Sequence, residues 1–217
     1  MQVGAIILAA GMSSRMGSFK PLLEIAGQSM IQRVIQTFAA VGCKPIVVVT
    51  GRNADMLQEH VRMRIDKSVQ QHIIFIHNPA YETTQMLDSV KCGLRVMAEQ
   101  EYCNSFFLTP VDIPLFQQDT LLKMLEKANK VVVKPSFENK GGHPLLIPFD
   151  LIQDILSYDG PGGLKQALKV ACEEREISTI YVDTPDRGIL LDADTKEEFE
   201  KMINWQQIIV DKWKILC

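Results

Sequence analysis

The densest group of residues able to do chemistry lies near the N-terminus, in Leu8-Ala9-Ala10-Gly11-Met12-Ser13-Ser14-Arg15-Met16-Gly17 and the Lys20 that follows. Ala9, Ala10 and Gly11 carry almost no side chain, so a phosphate can approach their backbone N–H groups closely. Ser13 and Ser14 add hydroxyl donors. Arg15 and Lys20 add two fixed positive charges in a loop without acidic residues. With Leu8 at the end of the preceding apolar run, the segment suits the triphosphate of an NTP. It is neither of the better-known phosphate loops. Five residues separate Gly11 from Gly17 and no Lys follows directly, which excludes the Walker A pattern, and GxGxxG is absent.

Carboxylates recur further along. Asp112, in Thr109-Pro110-Val111-Asp112-Ile113-Pro114, follows an apolar run, and a proline-stiffened strand end places it to hold Mg²⁺ against phosphates. In Leu191-Asp192-Ala193-Asp194-Thr195-Lys196-Glu197-Glu198 the two aspartates alternate, so on extended backbone they point to opposite faces. One can cap the helix that follows while the other faces the site. Asp194 or Thr195 is the capping candidate, and Glu197 and Glu198 suit the first turn. His143 sits in Gly141-Gly142-His143-Pro144, where the glycines and the proline fix the backbone and leave the imidazole to be aimed at a phosphate or sugar.

Elements that must position these groups are readable from periodicity. Val3–Leu8, Pro45–Thr50, His72–His77 and Ser105–Thr109 are short apolar runs of strand type. Helical stripes run over Met30–Val41, ending at Gly42, and over Gln85–Met97, with Met86, Leu87, Val90, Leu94 and Met97 on one face. Asn53 is expected to cap a helix running to about Val61, with Val61–Gln71 as a helix end plus loop. Another helix is expected near Gln117–Ala128. This βαβα series predicts an α/β fold, a mostly parallel sheet with helices on both faces. Strands then follow at Lys130–Lys134 and His143–Ile147, joined by the loop Pro135–Gly142, and at Ile177–Asp183 and Gly188–Leu191. Helices are expected at Phe149–Ser157, Gly163–Glu174 and Thr195–Asn204, so the sheet is mixed, with at least one antiparallel member. The tail Trp205–Cys217, bearing Trp205, Ile208, Ile209, Trp213, Ile215 and Leu216, is expected to be a helix docked on the domain or on a second subunit.

The bulk properties bound the rest. The 217 residues fit one domain, residues 1–204, followed by that 205–217 tail. A net charge of −3 argues against a general nucleic-acid binder, so an anionic ligand must be met by local groups. Cys43, Cys92, Cys103, Cys172 and Cys217 form no metal-ligand spacing and read as free thiols in a reducing compartment. No signal-peptide pattern or membrane-length apolar run is present, and a cytoplasmic protein is expected.

Taken together, the motifs resemble the signatures of the MobA-like NTP transferases and, among them, the molybdenum cofactor cytidylyltransferases. Leu8–Gly17 with Lys20 resembles the family's LAAGxSxRMG…K loop, and Asp112 with Pro114 its DxP motif. Leu191–Glu198 resembles its DIDTPED motif, with Lys196 in place of the usual proline, and Gly142–Pro144 its GHP motif. Asn78-Pro79 through Ser89–Leu94 resembles its NP…SSLRAGL stretch. The resemblance implies a three-layer Rossmann-like (GT-A-like) fold and transfer of an NMP group to a phosphorylated small-molecule acceptor, with pyrophosphate released. It implies Mg²⁺ held by Asp112 with Asp192, the better second ligand, or Asp194. Asn78 and Ser89 join the nucleotide-binding set Leu8, Ala9, Ala10, Gly11, Ser13, Ser14, Arg15 and Lys20, while His143 lies on the acceptor side. Arg15, Lys20 and Asp112 are the expected catalytic residues. Ala10 stands where guanylyl-transferring members carry glycine, which implies CTP. A homodimer or a molybdoenzyme partner is also implied. Rival readings are a cytidylyl- or uridylyltransferase acting on a sugar or alditol phosphate, and a non-catalytic nucleotide-binding regulator.

Overall fold

The computed structural model describes residues 2–11, 17–100 and 102–216, with side chains through residue 207. Ser13, Ser14 and Arg15 lie outside the described residues. In chain order the strands are β1 (Val3–Ala9), β2 (Glu24–Ile25), β3 (Gln28–Ser29), β4 (Ile46–Thr50), β5 (Ile73–His77), β6 (Ser105–Pro110), β7 (Val132–Phe137), β8 (Lys140–Gly141), β9 (Leu145–Pro148) and β10 (Thr179–Asp183). The helices are α1 (Met30–Ala40), α2 (Ala54–Arg64), α3 (Lys67–Gln70), α4 (Met86–Ala98), α5 (Gln118–Glu126), α6 (Ile152–Ser157), α7 (Gly163–Glu174) and α8 (Lys196–Leu216). The main sheet runs β10-β7-β9-β6-β1-β4-β5, with β8 paired to β7. It is parallel except where β9 meets β6 and β7, and where β8 meets β7.

The central strand explains the layers. Every residue of β1 is buried, as expected of a strand covered on both faces. Its alternation then divides the core: Ala5, Ile7 and Ala9 pack with α1, and Ile6 and Leu8 pack with α4, α6 and α7. On the first face, Phe38 of α1 stacks on Phe107 of β6 with ring centroids 5.5 Å apart. Both rings are fully buried, and truncating Phe38 to Ala would cost about 3–5 kcal/mol. On the second face α4 lies directly on the sheet. A Cβ at Gly93 would come within 2.7 Å of the Ile6 side chain, so the close approach requires glycine there. Ser29 starts α1 by accepting from the Gln32 N–H at 3.3 Å, and Gly42, at φ +79, ends it.

Several expectations are corrected. Gly188–Leu191 is not a strand but part of a 3₁₀ turn over Arg187–Leu190, because the Asp186 carboxylate accepts from the Gly188 N–H at 2.9 Å and bends the chain. The strand expected at Lys130–Lys134 lies two residues later. Glu138 and Asn139, at φ +49 and +62, then form a two-residue turn into β8, a turn that is usually signalled by glycine. Ala26 and Gly27 make a similar turn between β2 and β3, a hairpin that periodicity did not show. Asn53 stands before α2, but in a left-handed conformation and without a side-chain capping bond. Met86 is 61% exposed rather than on the buried face of α4. The last helix, α8, continues unbroken past residue 204, with Met202 buried and Trp205 packed against the core. Among the described residues, no helix is long and apolar enough to cross a membrane.

Candidate active site

Adjacent parallel strands β1 and β6 end side by side, and the chain between them sets the site. The Val111 N–H donates to the Leu8 carbonyl at 3.0 Å, carrying the ladder one step past β6 and bringing Asp112 out next to the Ala9–Gly11 backbone. The Ala193 N–H then donates to the Asp112 carbonyl at 3.1 Å, which lays residues 192–194 alongside. From the opposite direction Lys20 opens a 3₁₀ turn, Lys20–Leu22, stiffened by Pro21. Its ammonium donates to Asp194 Oδ1 at 2.8 Å and to Asp112 Oδ2 at 3.3 Å. The Lys20 side chain is only 11% exposed, so the two carboxylates balance a largely desolvated charge.

Asp194 is available for this because Thr195 takes over the capping. The Thr195 N–H donates to Glu198 Oε2 at 2.8 Å, and the Thr195 hydroxyl accepts from the Glu198 N–H at 3.2 Å, a reciprocal capping box. Asp192 is exposed and makes no comparable contact with Lys20 among the described residues. Its carboxyl is held above the usual aspartate range, first by partial burial and then by the negative charges of Glu198, Asp194 and Asp112. Among the described residues, no three His, Cys, Asp or Glu side chains converge as a ready metal cage. Asp112 and Asp194 meet at the Lys20 ammonium, and two such carboxylates would suffice for Mg²⁺ where phosphate oxygens and water complete its shell.

Around this charge cluster opens a cleft of about 350 Å³. Leu8–Gly11, Lys20 and Pro110–Asp112 line one side, and Tyr81, Gln85, Met86 and Ser89 are on the other. Asn78 is not in the lining. Its amide donates to Ser89 Oγ and Thr84 Oγ1, both at 3.1 Å, and its oxygen accepts from the Ala80 N–H at 3.1 Å. It therefore braces the 80–85 loop that carries Tyr81.

A second cleft, of about 540 Å³, shares Gln85 and Met86 with the first and contains His143. The turn holding His143 is fixed by its backbone. The Gly142 N–H donates to Pro135 O at 2.9 Å, and the His143 N–H donates to Ile189 O at 3.0 Å. A Cβ at Gly142 would lie 2.4 Å from Ile189 O, so only glycine permits this contact. Burial lowers the His143 pKa below its ordinary 6.5, against the Leu108 carbonyl and Asp112, which raise it; Lys134 lowers it further. His143 Nδ1 is buried and has no hydrogen-bond partner among the described residues.

The sequence expectations thus fall into two groups. Leu8, Ala9, Ala10, Gly11, Lys20, Ser89 and Asp112 border one cleft, Asp194 joins them through Lys20, and His143 borders the neighbouring one. Tyr81, Gln85 and Met86 were not foreseen as site residues. They lie within the 78–94 stretch that resembles a family motif, and the 80–85 loop and the start of α4 carry them to the cleft.

The chain is similar to several known proteins. A molybdenum cofactor cytidylyltransferase of Escherichia coli (strain K12) is 29% identical over 197 residues, covering 91% of this chain and 93% of that protein. A nucleotidyl transferase from Methanothermobacter thermautotroptrophicus has the same fold, with a TM-score of 0.76 at 20% identity over 94% of this chain and 96% of that one. Rv0371C of Mycobacterium tuberculosis H37Rv, solved in complex with manganese, gives a TM-score of 0.65 at 17% identity over 94% of this chain and 99% of its own. With residues 5–179, most of its length, matching the MobA-like NTP transferase domain, the chain belongs to that family of nucleotidyltransferases.

Proposed function

We propose that this nucleotidyltransferase moves CMP from CTP to a phosphorylated acceptor, with the molybdenum cofactor as first candidate, and releases pyrophosphate. The observation that carries the reading is the Lys20 ammonium held between Asp112 and Asp194, beside a small-residue backbone wall and next to a second cleft. An acceptor phosphate oxygen attacks the α-phosphorus in line. The new P–O bond forms as the bond to the bridging oxygen breaks, and pyrophosphate leaves with that electron pair.

Such a transfer asks the protein for positioning and charge stabilisation rather than covalent chemistry. The amides of Ala10 and Gly11, with Ser13, Ser14 and Arg15, hold the β- and γ-phosphates. Lys20 stands against the α-phosphate, where its charge counters the negative charge that builds up during transfer. Asp112 and Asp194 would hold Mg²⁺, with Asp192 adding to the negative potential around them. Bound there, the metal supplies further charge neutralisation on the phosphates. Ser89 closes the nucleotide cleft, and neutral His143 offers the acceptor a hydrogen-bonding imidazole. The Ala10 methyl narrows the space under the base and favours a pyrimidine. A cytoplasmic location, and a homodimer or molybdoenzyme contact through residues 205–217, belong to the same proposal.

Pyrophosphate release tests it, measured with each of CTP, GTP, ATP and UTP in Mg²⁺ buffer against the molybdenum cofactor, glucose 1-phosphate and ribitol 5-phosphate. CTP-dependent release with the molybdenum cofactor is expected. Release with a sugar or alditol phosphate alone would move the assignment to that acceptor class. Tight CTP binding without turnover of any acceptor would leave a nucleotide-binding regulator.

A further inference from the structure

The cleft that contains His143 does not end there. A third hollow, of about 560 Å³, lies between α7 and the edge strand β10, and it shares Lys134, Lys165, Leu168 and Tyr181 with the His143 cleft. The two hollows therefore adjoin along these side chains. Lys134 of β7 and Tyr181 of β10 are register partners in a parallel pair and stand on the same face of the sheet. Leu168, one turn beyond Lys165 in α7, completes the wall between the two chambers.

Three lysines, Lys134, Lys165 and Lys169, and two glutamates, Glu173 and Glu176, line the far chamber. Lys134 is half-buried, yet it makes no ion pair or side-chain hydrogen bond among the described residues. Lys134 lines both chambers. Lys165 is likewise without an ion pair among the described residues. The acid closest along α7, Glu173, is engaged by Lys169 at 3.7 Å. Tyr181 is 61% exposed and presents a flat aromatic face to the same space. Holding an ammonium partly out of water without a partner is unfavourable, and an anion at that point recovers the loss.

We propose that the acceptor cleft continues into this chamber, where Lys134 and Lys165 bind a second anionic group of the acceptor, remote from the phosphate that receives the nucleotide. The inference rests on the acceptor-side reading of the His143 cleft given above. It narrows the substrate class: the acceptor carries two separated anionic groups, and a small monophosphate would leave the far chamber unfilled.

Inorganic phosphate is the probe, titrated into the ¹⁵N-labelled full chain with and without saturating CTP and Mg²⁺, and followed by amide chemical shifts. Saturable shifts are expected at residues 134, 163–166 and 179–181 in both conditions. A Lys134→Gln, Lys165→Gln double variant should weaken that binding about tenfold or more, the effect of losing charge-assisted hydrogen bonds, and Lys134→Arg should retain it. The absence of shifts at these residues overturns the proposal, as does an unchanged midpoint in the double variant. Equal shifts at exposed lysines elsewhere, such as Lys44 and Lys123, mark an adventitious ion only and overturn it too. Failure of CTP to shift residues 8–11 counts against the nucleotide reading instead, since the phosphate titration without CTP reports on the chamber separately.

Discussion

On the side proposed for the nucleotide, one stretch of the wall is backbone. Ala9, Ala10 and Gly11 present main chain at the end of a fully buried strand, and the Lys20 ammonium in that cleft is already balanced by Asp112 and Asp194. On the acceptor side the wall is made of side chains, with buried His143 lacking an Nδ1 partner and half-buried Lys134 lacking an ion pair among the described residues. The first cleft is preorganised around its own charges, while the second holds polar groups that are unpartnered among the described residues. Preorganisation of the first kind is what phosphoryl chemistry needs, because dipoles fixed in advance cost no reorganisation during transfer. The second kind suits selection among acceptors, since a polar group left unpaired penalises the wrong molecule.

This contrast can be broken, starting with the largest effect. Asp112→Ala should lower CMP transfer by about a thousandfold or more while the circular dichroism spectrum stays unchanged, because it removes a group acting in the transition state. Lys20→Ala should cost about a hundredfold or more in kcat. Removing the Asp186 carboxylate, which ties the 186–188 turn to the start of α5, should act on stability. Asp186 is buried and accepts from the Gln117 N–H at 2.7 Å, Thr120 Oγ1 at 2.8 Å and the Gly188 N–H at 2.9 Å. Asp186→Ala strands those donors and should lower the unfolding free energy by about 2–4 kcal/mol in urea titrations.

Smaller effects sharpen the acceptor side and then the base site. Because the His143 pKa lies below 6.5 in the folded chain, the unfolded chain binds more protons just below that pH. Stability should therefore fall as the pH drops below 6.5, and His143→Gln should show a shallower fall in urea titrations between pH 7.5 and 5. An equally steep fall in that variant would place the titrating group elsewhere. The smallest effect concerns Ala10, buried at 5% exposure under the cleft. Ala10→Gly should shift the CTP-to-GTP ratio of kcat/KM by a modest factor, about 1–3 kcal/mol at most for one methyl-sized difference. An unchanged ratio would remove Ala10 from base choice.

Much of the layered fold was legible because burial on both faces leaves an unbroken apolar run, as in β1 and β4. Helices α1 and α7 were legible to within a residue, because their apolar spacing is regular and glycines mark α1's end and α7's start. What escaped was local hydrogen bonding without a sequence period. The Asp186 bend, the Glu138–Asn139 turn and the β2–β3 hairpin are each set by a few backbone angles or one carboxylate. At the site, Lys20, Asp112 and His143 were readable as types in motifs. Which of Asp192 and Asp194 would contact Lys20 was not, because it depended on whether Thr195 would take over the helix cap. The lysine-lined chamber beyond His143 was invisible as well, since Lys134, Lys165 and Tyr181 come together only through the β7–β10 register and the packing of α7.

The central claim is that Lys20 and its two aspartates act as one unit in transfer. A double-mutant cycle tests it most directly, comparing single-turnover CMP transfer by the wild type, Lys20→Ala, Asp194→Ala and the double variant, with CTP binding measured in parallel. Groups acting as a unit give strongly non-additive losses. The account predicts that the double variant is about as slow as the slower single variant. Losses that simply multiply, or an Asp194→Ala enzyme that keeps the wild-type rate, would contradict it.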